Sequence, residues 1–220
     1  MWTGVLWDLD GTLVDTEPVW MAAELELAAE HGIDWTREDG LALVGLALPD
    51  SGDYIKRRLG SDRSSTEIVE YLVERVAAQL RVDVPWRPGA LDLVAAFVDA
   101  GVPQALVTMS YAPIAGAVAA HLPFSVVVSG DAVTMGKPHP EAYLTAAALL
   151  GCEPRECLAI EDSTTGAASA NAAGCDVLVI PHLVDVPVAP RRFTQQTLAG
   201  LSPTVLWSRR SRALNGVGDA

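Results

Sequence analysis

The chain of 220 residues is poor in positive charge. It contains only two lysines, Lys56 and Lys137, and 15 basic residues stand against 28 acidic ones, which gives a net charge of −13. A surface this acidic repels nucleic acid and anionic membranes, so neither is an expected partner. An anionic substrate would need local positive charge, from a basic side chain or from a metal ion.

Long hydrophobic runs and paired cysteines are also missing. No segment reaches the ~18 apolar residues of a membrane span, and Asp8 and Asp10 lie where a signal peptide would be apolar. The three cysteines form neither a disulfide framework nor a zinc-site spacing, so we interpret them as small buried residues. With half of its residues hydrophobic, the chain is predicted to be a folded, soluble protein of the cytoplasm.

Short apolar runs that are rich in β-branched residues are the main structural signal. They do not alternate with polar residues, which is typical of strands that are buried on both faces of a parallel sheet. Helical stretches that end at glycines separate the later runs, so the sequence predicts an α/β fold with right-handed crossovers. The predicted strands are 4–7, 105–107, 125–128, 157–160 and 176–180, and the predicted helices are 90–100, 113–121, 140–150 and 165–173.

Residues 17–84 follow a different pattern. Their apolar residues recur at helical spacing, as at Trp20, Ala23 and Leu27, and none of their runs is as strand-like as those of the remaining chain. We therefore predict a helical insertion at 17–84 within a core made of 1–16 and 85–208. Residues 209–220 are predicted to be a flexible tail.

Polar side chains follow the predicted strands at their carboxyl ends, which is where open parallel sheets bind ligands. Carboxylates that converge from two strands repel each other unless a cation lies between them. A hard divalent cation with oxygen ligands, commonly Mg²⁺ where phosphate is handled, meets that need. The residues concerned are Asp8, Asp10, Thr108, Ser110, Glu161 and Asp162, with Lys137 after the third run.

Four short motifs in this order resemble those of the haloacid dehalogenase-like phosphatase superfamily. They are DLDGTLVD at 8–15, VTMS at 107–110, GKP at 136–138 and EDS at 161–163. The helical insertion after the first motif is similar to the cap of the β-phosphoglucomutase-like branch. The resemblance covers nearly the whole chain and implies a Rossmann-like core, a mobile cap, Mg²⁺ dependence and an aspartyl-phosphate intermediate.

The resemblance implies a role for each motif residue that carries the reaction. Asp8 would be the nucleophile and a metal ligand, because a carboxylate forms a phospho-anhydride that water can cleave. Asp10 would protonate the leaving alkoxide and then deprotonate water, while its carbonyl contacts the metal. Lys137 would offset the charge of Asp8 and of the phosphate, and it would also bind the phosphate.

The remaining motif residues are expected to bind phosphate and metal. Thr108 would contact a phosphoryl oxygen, and Met109 beside it is placed in the same phosphate-binding set. Asp162 would ligate Mg²⁺ directly, whereas Glu161 would ligate it through water or orient Asp162. The expected partner is a small phosphorylated metabolite, such as a sugar phosphate, and the expected oligomeric state is a monomer or a weak homodimer.

Three other functions compete with simple hydrolysis. Dehalogenation is disfavoured because haloacid dehalogenases lack the second aspartate, here Asp10. A mutase is disfavoured because Trp20 stands where β-phosphoglucomutases carry histidine, and because the loop 44–50 contains neither lysine nor arginine. A non-catalytic, receiver-like protein that is phosphorylated on Asp8 is the alternative from another class, although receivers lack both Asp10 and a large insertion.

Overall fold

A computed structural model describes residues 1–43 and 46–214. The chain divides into two compact units, one formed by Met1–Asp15 with Pro85–Ala220 and the other by Thr16–Val84. We refer to them as the sheet unit and the helical unit. Among the described residues, no helix combines the length and the apolar composition needed to cross a membrane.

The sheet unit is built on six parallel strands, which confirms the predicted α/β class. Their spatial order is β3-β2-β1-β4-β5-β6, so β1 lies in the middle between β2 and β4. The strands are β1 Gly4–Trp7, β2 Gln104–Val107, β3 Val126–Val128, β4 Cys157–Glu161, β5 Asp176–Val179 and β6 Arg192–Thr194. The four inner strands are fully buried, as continuous apolar runs predict.

The two edge strands depart from the prediction. In β3, which is an edge strand, Val127 is exposed, so the strand is not buried on both faces as predicted. The last strand, β6, was not predicted from the sequence. Its three residues Arg192–Thr194 have no apolar pattern of their own and gain their strand geometry by pairing with β5.

The described part of the helical unit contains four helices, of which the longest packs against two of the others. They are α1 Glu17–Glu30, α2 Arg37–Leu41, α3 Leu48–Leu59 and α4 Ser65–Val82. Helix α4 buries one apolar face that includes Ile68, Leu72 and Val76, and it contacts α1 and α3. The predicted loop 44–50 is described only from Leu46 onward, and 44–45 lie outside the described residues.

Within the described residues of the sheet unit, five further α-helices flank the sheet. They are α5 Ala90–Asp99, α6 Ala112–Ala119, α7 Glu141–Leu150, α8 Thr164–Ala173 and α9 Pro203–Leu214. Helices α7 and α8 are rich in alanine and pack directly on the strands. Among the cysteines, Cys157 and Cys175 are buried as expected, whereas Cys152 is half-buried.

Helix α9 extends into the segment 209–220 that the sequence predicts to be a flexible tail, and the flexibility of this tail stays a prediction. Residues 209–214 belong to this helix, and 215–220 lie outside the described residues. The helix continues because Arg210 forms an ion pair with the buried Asp176 and stacks over the ring of Trp207. A long-range contact of this kind leaves no local pattern in the sequence.

Candidate active site

The carboxyl ends of three adjacent strands bring most of the predicted site residues together. Asp8 follows β1, Thr108 follows β2, and Glu161 and Asp162 lie at the end of β4. The backbone N–H of Asp8 donates to the carbonyl of Ile160, so the β1–β4 ladder runs directly into the site. Buried apolar strands therefore hold these polar side chains at fixed relative positions.

Lys137 connects two of the carboxylates. Its Nζ donates to Asp8 Oδ1 at 2.7 Å, to Glu161 Oε1 at 2.7 Å and to the carbonyl of Val107 at 2.9 Å. The side chain is only 5% exposed. Although burial opposes its charge, Asp8 and Glu161 raise the pKa of Lys137 well above its usual value. The lysine is therefore a fixed positive charge beside Asp8.

One lysine does not balance the acidic groups around it. Burial, together with the charge of Glu161, raises the pKa of Asp8 to about 7. Burial and the charge of Asp8 raise the pKa of Asp162 to about 9. In addition, Asp8 Oδ2 is buried without a hydrogen-bond partner among the described residues. The cluster therefore has a deficit of positive charge.

This deficit and the type of donor fit a divalent cation. Asp8, Glu161 and Asp162 each offer a carboxylate oxygen, and these oxygens lie within 4.8 Å of one another. A site made only of oxygen donors suits a hard cation such as Mg²⁺. The unpartnered Asp8 Oδ2 is the atom whose burial is hardest to explain without such an ion.

Glu161 is the most constrained of these carboxylates. It is fully buried, and it accepts hydrogen bonds from Lys137 Nζ at 2.7 Å, from the Tyr143 hydroxyl at 2.6 Å and from Ser163 Oγ at 3.1 Å. Three donors already occupy its oxygens. Of the roles expected for Glu161, an orienting one fits these contacts best, and the group that it orients most directly is Lys137.

Asp10 accepts hydrogen bonds from two hydroxyl groups. Its Oδ2 accepts from Thr108 Oγ1 at 3.0 Å and from Ser110 Oγ at 2.8 Å. The N–H of Ser110 donates in turn to Thr108 Oγ1 at 3.0 Å. The two hydroxyls fix the plane of the Asp10 carboxyl group, which prepares it to exchange a proton.

The turn after Asp10 depends on a glycine. Gly11 has a φ of +80°, which favours glycine, and a Cβ at this position would lie 2.1 Å from Asp162 Oδ2. Any larger residue would therefore push Asp162 away from the loop. The glycine of the first motif allows the Asp8–Asp10 loop and the Asp162 carboxylate to approach each other.

The comparisons with known proteins agree with this geometry. Residues 2–174 match the family model of haloacid dehalogenase-like hydrolases. The chain belongs to this family. This hydrolase is 36% identical over 190 residues to hexitol phosphatase A of Escherichia coli. The alignment covers 84% of this chain and 85% of that protein. It is 30% identical over 181 residues to the fructose-1-phosphate phosphatase YqaB of the same species, covering 80% and 95%.

A solved structure extends the likeness to the fold. CbbY from Rhodobacter sphaeroides in complex with phosphate superposes on this hydrolase with a TM-score of 0.81 at 28% identity, covering 94% of this chain and 99% of that chain. Together, these findings confirm the predicted family, the predicted Rossmann-like α/β fold and the prediction of a phosphatase.

Sequence reasoning missed Tyr143 and underrated two neighbours of Thr108. Tyr143 lies on α7 with no motif around it, yet it is fully buried against Glu161, and Lys137 Nζ lies 5.2 Å from the centre of its ring. Met109 Sδ accepts the N–H of Lys137 at 3.2 Å, so its side chain contacts the lysine loop, and its place in the phosphate-binding set stays a prediction. Ser110 holds Asp10.

Proposed function

We propose that this hydrolase is a Mg²⁺-dependent phosphatase that hydrolyses small phosphorylated sugars through a phosphorylated Asp8. The observation that carries the proposal is the pairing of a buried nucleophile with a single fixed cation. Asp8 Oδ1 receives Lys137 at 2.7 Å, while its Oδ2 has no hydrogen-bond partner among the described residues. One oxygen is held in place and the other is available for chemistry.

The first half of the reaction transfers the phosphoryl group to Asp8. A carboxylate oxygen of Asp8 attacks phosphorus, and the bond from phosphorus to the sugar oxygen breaks. Asp10, held by Thr108 and Ser110, gives its proton to the departing alkoxide. Lys137 stabilises the negative charge on the transferred group. Mg²⁺, held by Asp8 and Asp162, would supply further positive charge for the phosphoryl oxygens.

The second half releases phosphate. Asp10, now ionised, removes a proton from a water molecule, and the oxygen of that water attacks phosphorus. The bond from phosphorus to the Asp8 oxygen breaks, and the Asp8 carboxylate is restored. Because one residue first gives and then takes the proton, the Asp10 carboxyl must stay in one orientation through both steps, which its two hydroxyl partners provide.

The names of the relatives support phosphorylated sugars and sugar alcohols as the substrate class. The two relatives described above are a hexitol phosphatase and a fructose-1-phosphate phosphatase. The predicted domain role, in which the insertion at 17–84 acts as a cap that selects the substrate, stays a prediction. The cytoplasmic location and the monomer or weak homodimer also stay predictions.

A direct assay tests the proposal. Phosphate release is measured with Mg²⁺ for a panel of hexose, pentose and hexitol phosphates, and Asp8→Asn serves as the control. We expect multiple turnovers for at least one sugar phosphate and none for the variant. Release of no more than one phosphate per protein would favour the receiver-like alternative. Conversion into an isomeric sugar phosphate without release would favour the mutase.

A further inference from the structure

A hydrogen-bonded chain of three polar side chains lies beside the candidate site and has no role in the proposed reaction. Arg87 Nη1 and His182 Nδ1 are 2.8 Å apart, and His182 Nε2 and Asp15 Oδ1 are 3.1 Å apart. The three residues come from separate segments of the sheet unit. Asp15 is the last residue of the first motif, Arg87 lies two residues after Pro85, and His182 follows β5.

The contacts determine the protonation pattern of the histidine. A guanidinium group can only donate hydrogen bonds, so Nδ1 of His182 must accept from Arg87. The ring proton is then on Nε2 and is donated to Asp15. The imidazole is only 16% exposed. His182 is therefore a neutral ring with one defined tautomer, held from both sides.

The backbone around these residues forms a small ladder that leads to the catalytic loop. The N–H of Asp15 donates to the carbonyl of Pro85 at 2.9 Å, and the N–H of Arg87 donates to the carbonyl of Leu13 at 2.8 Å. The N–H of Gly11 donates to the carbonyl of Val14 at 2.8 Å. The polar chain fastens both sides of this ladder, because Asp15 lies on one side and Arg87 on the other.

His182 also lies directly against the turn that separates Asp10 from the ladder. A Cβ on Gly11 would lie 3.4 Å from Cδ2 of His182 and 2.1 Å from Oδ2 of Asp162. The imidazole and the Asp162 carboxylate therefore contact the same turn. A displacement of the ring frees space beside Gly11, and the turn that follows Asp10 can then shift.

We propose that His182 is a positioning residue, whose neutral ring ties Arg87 to Asp15 and thereby holds the 10–14 turn in the geometry that orients Asp10. The kinetic part of this inference rests on the proposed phosphatase function. His182 does not touch the reacting atoms in this proposal. It acts through the turn, so its loss should lower kcat and leave substrate affinity nearly unchanged.

The kinetic test compares substitutions at position 182. His182→Ala should lower kcat by about 10- to 100-fold, because small misplacements of catalytic groups cost rates of that order, with KM changed by less than about 3-fold. His182→Asn retains an acceptor toward Arg87, and His182→Gln retains a donor toward Asp15. We expect His182→Gln to recover more activity, since Asp15 belongs to the segment that continues the turn.

Matched controls separate positioning from a purely structural role. Asp99→Ala removes an exposed side chain at the end of α5 in the same unit and should leave kcat unchanged. The double variant of Asp15→Ala and His182→Ala should lose little more activity than either single variant, because both break one chain. A lower melting temperature with wild-type kcat in both His182→Ala and His182→Gln would overturn the proposal.

A second measurement does not depend on turnover. In protein labelled with ¹⁵N-histidine, the signal that disappears in His182→Gln should come from a neutral ring with the proton on Nε2. A protonated ring, or a proton on Nδ1, would overturn the inference whether or not the protein is active. If no phosphomonoester is hydrolysed but this tautomer is found, the proposed function fails while the Arg87–His182–Asp15 chain stands.

Discussion

The two ends of the sheet treat buried negative charge in opposite ways. At the amino ends of the strands, Asp176 is 1% exposed, accepts from Trp2 Nε1 at 2.7 Å, and forms ion pairs with Arg191 and Arg210. At the carboxyl ends, Lys137 is the one basic side chain among the described residues that hydrogen-bonds to Asp8 and Glu161, which cluster with Asp162.

The difference separates a structural charge from a functional one. A buried charge is tolerated when partners on the same chain compensate it, and Asp176 has two arginines for one carboxylate. The carboxyl end has one lysine for three carboxylates and raises the pKa of Asp8 and Asp162. Protons or a cation from solution can balance a deficit of this kind. A bound metal ion would balance it and would also assist phosphoryl transfer.

The largest expected effect is the loss of Asp8, the proposed nucleophile. Asp8→Asn should lower turnover by at least ~10³-fold, measured as phosphate release from the best sugar phosphate. In the absence of divalent cations, the melting temperature of this variant should not fall below that of the wild type. The substitution removes one negative charge from a cluster in which negative charges outnumber positive ones. Asp99→Asn, at the exposed end of α5, is the matched control and should behave as wild type. Near-normal turnover in Asp8→Asn would exclude the covalent route.

Loss of the single lysine at the site should have the next largest effect. Lys137→Ala should lower kcat/KM by ~10²–10³, since each fixed charge on a developing anion contributes about 3–4 kcal/mol. Lys137→Arg should recover little, because a planar guanidinium cannot replace a compact ammonium between two carboxylates. Lys56→Ala, the other lysine, should leave kcat unchanged. Steady-state kinetics decide this, and wild-type behaviour of Lys137→Ala would contradict the account.

The amino end should respond in stability rather than in rate. Asp176→Asn leaves Arg191 and Arg210 without their carboxylate, which should lower the free energy of unfolding by about 2–3 kcal/mol. This loss is smaller than the usual loss for a broken buried ion pair, because both arginines are partly exposed. Urea unfolding measures the change, and kcat at 25 °C serves as the control. A rate loss as large as that of Asp8→Asn would remove the contrast between the two ends.

The smallest effect concerns a buried acid of the helical unit that belongs to neither cluster. Burial raises the pKa of Glu24 to about 7, although Trp35 Nε1 donates to it at 3.2 Å. The folded-state pKa lies above the unfolded one, so the folded state binds the proton more tightly between about pH 4.5 and 7. The stability that this provides is complete below that window and is lost as the pH rises through 7.

Thermal unfolding at several pH values tests whether burial keeps Glu24 protonated. Relative to Glu24→Gln, the wild type should lose about 2 kcal/mol of stability between pH 5 and pH 8. Glu38→Gln, an exposed acid of the same unit, should run parallel to the wild type. If Glu24→Gln also runs parallel to the wild type, Glu24 is ionised when buried, and burial alone does not retain a proton in this protein.

The sequence predicted those features whose cause is local or topological. The inner strands were predictable because they are short apolar runs, and Asp8, Thr108 and Asp162 were predictable as neighbours because the carboxyl ends of parallel strands meet. Strand β6 was not predictable, since Arg192–Thr194 depends on its pairing with β5.

The contacts that support the site residues could not be predicted from the sequence either. Tyr143 reaches Glu161 from a helix made largely of alanine. His182 meets Arg87 from 95 positions away. No residue spacing marks either pair, because both contacts arise only when separate elements pack on the same sheet. The candidate site residues could therefore be inferred from the sequence, whereas the residues that hold them in place could not.

In the proposed function, a divalent cation fills the charge deficit at the carboxyl end of the sheet during catalysis. Phosphate release is measured in protein stripped with EDTA, freed of chelator, and then titrated with Mg²⁺. The account predicts no turnover in the stripped protein and full recovery with Mg²⁺, and it predicts little turnover with Ca²⁺, which prefers a larger coordination shell. Full turnover in the metal-free protein would contradict it.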